Sequence, residues 1–212
     1  MIIFVVPAPR SKMGCAISGL SLVAKPAGDI RDEDVAVVNL TLQQIEMIKE
    51  SWKVIQEDIA KVGIIMFVRL FETHPECKDV FFLFRDVEDL ERLRTNKELR
   101  AHGLRVMSFI EKSVARLDQL ERLDQLALDL GRGHYRYNAP PKYYGYIGVE
   151  FIRAVQPILK ERWTDEMEEA WKALFQYVTR IMKKGYWEEE SNQCSNSAES
   201  SKERPEKKNT RL

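Results

Sequence analysis

The sequence predicts an all-α domain, on three observations. Helix-start signatures recur along its middle, apolar residues there return at steps of three and four, and no stretch alternates with period two for long enough to argue a strand. Two segments of different character flank this core. Residues 1–39 mix Gly, Pro, Asp and Ser without helical period and read as a flexible N-terminal segment. From 191 the chain becomes "SNQCSNSAESSKERPEKKNTRL", with too few large apolar side chains to offset the entropy of ordering. A disordered polar tail is expected over 191–212, which leaves the domain at 40–190.

The elements follow in order. "LTLQQI" offers Thr41 as N-cap with Gln44 three residues on, a capping box, while Leu40 and Ile45 stand where a hydrophobic staple would close. "SWKVIQEDIAKVGIIMFVRLFETHP" carries Trp52, Gly63 and Phe71 and stops at Pro75. His74, before that proline, is expected to face solvent. "TNKE" repeats the box with Thr95 and Glu98 and opens "KELRAHGLRVMSFIEKSVARLD". There Leu99, Gly103, Val106, Ile110, Val114 and Leu117 form one apolar stripe, with His102 at its border. Gly63 and Gly103 would let two helices cross closely. "LALDLGRGHY" sets His134 one turn after Leu130; Gly131 with Gly133, and the pair Pro140–Pro141, read as stop signals. Thr164, followed by Asp165 and Glu166, opens the last helix with acids at its positive end. "WEEE", 187 to 190, reads as a solvated helix end.

Bulk properties exclude several classes. The 33 basic and 33 acidic residues balance, so the chain has no general pull toward nucleic acid, and no nucleic-acid partner is expected. No apolar run approaches the ~18 residues of a spanning helix. "MIIFVVPAPR" is apolar but short, ends in proline and has no preceding basic residue, which makes it a poor secretory signal. Cys15, Cys77 and Cys194 are scattered and form neither a disulfide framework nor a metal clip. "MGCAIS", 13 to 18, is the pattern read for N-myristoylation, which requires Gly14 to be the first residue of the mature chain.

An ordered set of residues carries a resemblance. Trp52 stands on the first helix, Phe81 and Phe84 follow the Pro75 corner, and His102 and His134 fall on two successive long helices. Together these resemble the globin family over essentially all of 40–188. Within it, "FRDVEDLERLR", "HYRYNAPPKYYGY" and the "MGC" start are most similar to the globin X branch, which is membrane-associated. The resemblance implies about eight helices, three over three, around a pocket for haem b (iron protoporphyrin IX). It makes His134 the proximal and His102 the distal metal ligand. Phe81 and Phe84 would wedge the porphyrin edge, Phe67 and Val106 close the distal side, and Leu130 pack beneath the ring. The Leu130 carbonyl would fix the His134 tautomer, and Arg105 would meet a propionate. Gly131 and Gly133 would loosen the proximal helix before haem enters.

The resemblance further implies that dioxygen, nitric oxide, carbon monoxide or nitrite binds at a bis-histidine iron. Redox or signalling duty then fits better than bulk oxygen transport. Nitrite reduction or nitric oxide dioxygenation at the same iron is an enzymatic alternative. It needs an outside electron donor, since no flavin-binding segment or further acid–base pair is visible. A haem-free sensor or scaffold is the third reading. Gly14 would take a myristoyl and Cys15 a palmitoyl chain, because one acyl chain anchors only marginally. A start at Met13 would place the protein on the inner leaflet of the plasma membrane; a start at Met1 would leave it in the cytosol.

Overall fold

The computed structural model describes residues 40–81 and 83–202, with side chains through 195. Gly14 and Cys15 lie outside the described residues. Seven α-helices are present among those described: α1 (Leu42–Ile55), α2 (Ile59–Thr73), α3 (Leu90–Arg94), α4 (Lys97–Val114), α5 (Leu120–Arg136), α6 (Tyr144–Leu159) and α7 (Asp165–Lys202). Short 3-10 turns join them, including Pro75–Val80 and Pro141–Tyr143. The segment after α2 opens on a proline, which supplies no backbone N–H for a continuing ladder.

The helix starts show how local chemistry sets the boundaries. Thr41 Oγ1 accepts from the Gln44 amide at 3.2 Å, and Gln44 Oε1 accepts from the Thr41 amide at 2.9 Å, the full reciprocal box. Thr164 Oγ1 likewise accepts from the Met167 amide at 3.2 Å, with Asp165, Glu166 and Glu168 in the first turn. The second expected box is corrected. Asn96 caps α4, its Oδ1 accepting from Glu98 N at 2.9 Å and Leu99 N at 3.0 Å. Thr95 instead ends α3, and its hydroxyl donates to the Arg92 carbonyl at 3.3 Å. With only Thr95 and Asn96 between the two helices, Thr95 is already committed to the first.

Two further boundaries differ from expectation. Gly131 and Gly133 do not stop α5, which runs through both to Arg136. The polar stretch from 191, expected to be disordered, is helical as far as Lys202. Extending an existing helix fixes one residue per hydrogen bond, without the cost of a new nucleus. The buried turns of α7 supply that nucleus. Glu188 and Glu189, within the stretch read as solvated, also tie α7 back to α5 through Arg132 (2.8 Å) and Arg136 (3.0 Å).

Packing is concentrated where α7 runs across α5, α6 and α1, and where α2 lies between α4 and α6. Two crossings bring backbones together. A Cβ on Gly63 would stand 2.9 Å from the Gly103 carbonyl carbon, so α2 and α4 meet backbone to backbone, as expected. A Cβ on Gly131 would stand 2.0 Å from the Met182 carbonyl oxygen, and one on Gly185 2.2 Å from that of Leu128. Close helix crossing, rather than helix termination, is why position 131 holds glycine.

The far end of the core is built on Trp171, fully buried against Trp52 and Phe151. Its indole donates to Ser51 Oγ at 3.0 Å, and Ser51 donates back to the Met47 carbonyl at 2.8 Å, so no polar atom of the pair is stranded. Glu150, also fully buried, joins α6 to α2 through Arg69 Nε (3.1 Å) and the Thr73 hydroxyl (3.2 Å), with Arg153 Nη1 at 2.7 Å.

Candidate functional site

The two crossings leave a cavity of about 150 Å³ between α2, α4, α5, α6 and α7. Its wall is mostly carbon. Phe67 and Leu70 come from α2, Val106, Phe109 and Ile110 from α4, Leu130 from α5, Ile147 from α6, and Phe175, Val178 and Met182 from α7. Against this wall stand two imidazoles, His102 and His134, and one guanidinium, Arg105.

His134 sits on the last turn of α5, three residues beyond the Gly131 crossing. Its Nδ1 donates to the Leu130 carbonyl at 2.8 Å, the partner expected from sequence. An Nδ1–H leaves the ring lone pair on Nε2. Burial lowers its pKa from the ordinary imidazole value, partly opposed by that hydrogen bond. The Tyr144 ring meets His134 edge-on at 5.1 Å, while the Tyr144 hydroxyl donates to the Ala139 carbonyl at 3.1 Å. Burial raises the Tyr144 pKa above the usual phenol range, so it stays protonated.

His102 is 8% exposed, held beneath the α2–α4 crossing. Phe67 and Phe81 both press edge-on to its ring, at 4.9 and 5.1 Å. Burial first, then the Arg105 cation and the His134 imidazole, hold its pKa down at about 3. Arg105 Nη2 lies 3.4 Å from His102 Nδ1, while Arg105 Nε is buried with no hydrogen-bond partner.

Of the residues expected from sequence, His134, His102, Phe81, Phe67, Val106, Leu130 and Arg105 line this one cavity. Phe84 does not: it is buried one layer behind, its ring 6.1 Å from Phe81 and 6.2 Å from Phe71, bracing the wall. His74 is half-buried rather than turned to solvent, its ring stacked on Tyr146 at 3.7 Å and 1° with Glu76 at 3.4 Å. Cys77 is buried on the cavity wall, its thiol pushed up to about 11 by burial and by Glu76. The site role of Tyr144 escaped the sequence reading. It lies in the aromatic run "HYRYNAPPKYYGY", but which of those rings turns inward depends on how α6 docks. No group of three or more His, Cys, Asp or Glu suited to a metal ion occurs among the described residues.

Known proteins resemble this chain in sequence and in fold. Neuroglobin of Tetraodon nigroviridis is 27% identical over 147 residues, covering 69% of this chain and 92% of its own. Cytoglobin-1 of Oryzias latipes is 28% identical over 161 residues, covering 74% and 91%. Among solved structures, a hexacoordinated haem protein from an anhydrobiotic tardigrade superposes with a TM-score of 0.66 at 22% identity, over 71% of this chain and 97% of that one. Hemoglobin from the botfly Gasterophilus intestinalis superposes with 0.64 at 18%, over 70% and 99%. The sequence model of the family described as Globin matches residues 65–182, more than half of the chain. That span reaches from α2, through both cavity histidines, to Met182 on the far wall; the chain belongs to the globin family.

Proposed function

We propose that the cavity holds a haem, of the b type, between His134 and His102, and that the protein binds dioxygen and other diatomic ligands there. The observation that carries the reading is the meeting of two imidazoles from successive helices in one apolar cavity, with His134 already presenting an Nε2 lone pair. The residues present fit the group. Arg105 brings a buried nitrogen without a partner, which a propionate would satisfy. A hydrophobic wall excludes water, and the Leu130 carbonyl fixes the plane and basicity of the His134 ring.

The haem iron would supply an open coordination position and one-electron redox chemistry. The chain's own residues do the rest. His134 ligates, Phe67, Phe81 and Val106 keep the distal side dry, and His102 either ligates or swings aside. If His102 were aside in about one per cent of molecules, apparent affinity for an external ligand would fall about a hundredfold, while electron transfer would meet no such penalty. A redox or signalling role at a membrane therefore fits better than bulk transport. The tardigrade protein's hexacoordinate haem supports the two-histidine reading.

Absorption spectra of the purified chain after haem addition, ferric and ferrous, test this. A Soret band lost in His134→Ala is expected, as is a low-spin ferrous spectrum that turns high-spin in His102→Ala. Absence of any Soret band overturns the proposal.

The globin X likeness and the "MGC" pattern support a second part of the reading: Gly14 and Cys15 carry acyl chains that hold the protein to the inner leaflet, where an electron donor reaches it. Mass spectrometry of protein from native cells should find a chain beginning at acylated Gly14. An unmodified Met1 terminus would refute the anchor.

A further inference from the structure

The two imidazoles that share the cavity are held in opposite tautomers. A carbonyl oxygen only accepts, so at His134, where Nδ1 faces the Leu130 carbonyl at 2.8 Å, the proton is on Nδ1 and the lone pair on Nε2. A guanidinium only donates, so at His102, where Nδ1 faces Arg105 Nη2 at 3.4 Å, the lone pair is on Nδ1 and the proton on Nε2. A ring nitrogen ligates a metal only through its lone pair. Nδ1 of His102, the nitrogen nearer Cβ, is turned along α4 to the residue three positions on, and Nε2 is the nitrogen with reach. As the side chains stand, His134 offers the cavity a ligand and His102 offers it a hydrogen-bond donor.

We propose that Arg105 is a positioning residue that holds His102 in its Nε2–H form, so that His102 ligates a metal only after the Arg105 hydrogen bond is released. In that exchange one proton leaves Nε2 for water and one is taken up at Nδ1; the ring stays neutral and no electron moves. A ring flip is not an easy alternative, because Phe67 and Phe81 bracket the imidazole edge-on at 4.9 and 5.1 Å. Arg105 Nε remains buried without a partner, so the same guanidinium can take a carboxylate while Nη2 stays on His102. Arg105 thereby sets the fraction of molecules in which His102 is off the metal. The ligation step rests on the haem reading above; the tautomer assignment does not.

The test uses the full chain, wild type, Arg105→Met and Arg105→Lys, each loaded with haem and read by ferrous absorption. Losing the donor should raise the ratio of low-spin to high-spin protein about fivefold in Arg105→Met, the scale of one modest hydrogen bond. Arg105→Lys, which still donates, should stay near wild type. An unchanged or lower ratio in Arg105→Met at full haem content overturns the proposal. The imidazole ¹⁵N resonances of wild-type ferrous carbon monoxide complex give a second readout. His102 should report Nε2–H and His134 Nδ1–H, and an Nδ1–H at His102 overturns the proposal whether or not Arg105→Met takes up haem. A wild-type chain that takes up no haem refutes the preceding reading instead. The same resonances of the haem-free chain then decide the tautomer alone, Nε2–H upholding it and Nδ1–H refuting it.

Discussion

Alanine at Gly131 and alanine at Gly133 should change stability in opposite directions, although the positions are two residues apart on α5. Neither glycine has a positive φ, so alanine strains neither backbone. At 133 nothing lies within 4 Å of where the Cβ would go. Only the helix-propensity gain remains, up to about 0.8–1 kcal/mol and less this near the helix end. At 131 the new Cβ would fall 2.0 Å from the Met182 carbonyl oxygen and 2.8 Å from its carbon. That is more than 1 Å short of ordinary contact, and both atoms are backbone of the longest helix. α5 and α7 must part to admit it, and overpacking of this kind costs about 1–3 kcal/mol or more. Urea unfolding of the haem-free chain, followed by tryptophan fluorescence, should therefore place the midpoint of Gly133→Ala above wild type and that of Gly131→Ala below it. A Gly131→Ala chain as stable as wild type would refute the close crossing.

Three other outcomes follow from the same structure. Ser51→Ala removes the acceptor of the buried Trp171 indole and should destabilise by about 1–3 kcal/mol in the same assay, whereas Trp171→Phe in the Ser51→Ala background should recover part of the loss by removing the stranded N–H. Asn96→Ala strips two α4 amides of their acceptor and should cost about 1 kcal/mol, while Thr95→Ala should cost less; equal losses would mean the cap is misassigned. Because the pKa values of both cavity histidines are lowered on folding, the unfolded chain binds more protons as pH falls below about 6.5, and the haem-free protein should lose stability from there downward. For His102 the slope is about 1.4 kcal/mol per pH unit until near pH 3, and His102→Leu should remove that share of it, as read from denaturation midpoints between pH 7 and 4.

What the sequence revealed and what it hid divide along the range of the interaction. Thr41 with Gln44, the Leu99-to-Leu117 stripe and the Leu130-to-His134 turn are contacts within a few residues, and all were readable as written. Gly131 was misread as a helix stop because its reason is the carbonyl of Met182, on another helix. Propensity alone cannot distinguish a glycine that ends a helix from one that admits a neighbour. Phe84 shows the same limit from the other side. Its spacing from Phe81 suggested a shared role, yet the chain between them turns through a hydrogen bond from the Phe84 amide to the Phe81 carbonyl at 2.8 Å, and the second ring ends up behind the first.

The candidate site itself was legible in its residue types and not in its chemistry. What joined the two histidines was the globin resemblance; the helical period alone put only His102 at the border of an apolar stripe. Which nitrogen of each ring carries the proton depends on a third group, and those groups differ: a carbonyl one turn back for His134, a guanidinium one turn on for His102. The resemblance gives Arg105 to a propionate because it lies one turn past His102 and a guanidinium suits a carboxylate. Its placement against His102 gives it a second demand that sequence spacing cannot rank against the first. An i, i+3 pair on a helix meets only if both side chains turn the same way. Here they meet at 3.4 Å, with Phe67 from α2 and Phe81 from beyond the Pro75–Val80 turn both edge-on to the His102 ring. Phe67 stands on α2, whose Gly63 meets Gly103, the chain neighbour of His102, so a backbone crossing helps place the ring whose tautomer is proposed above.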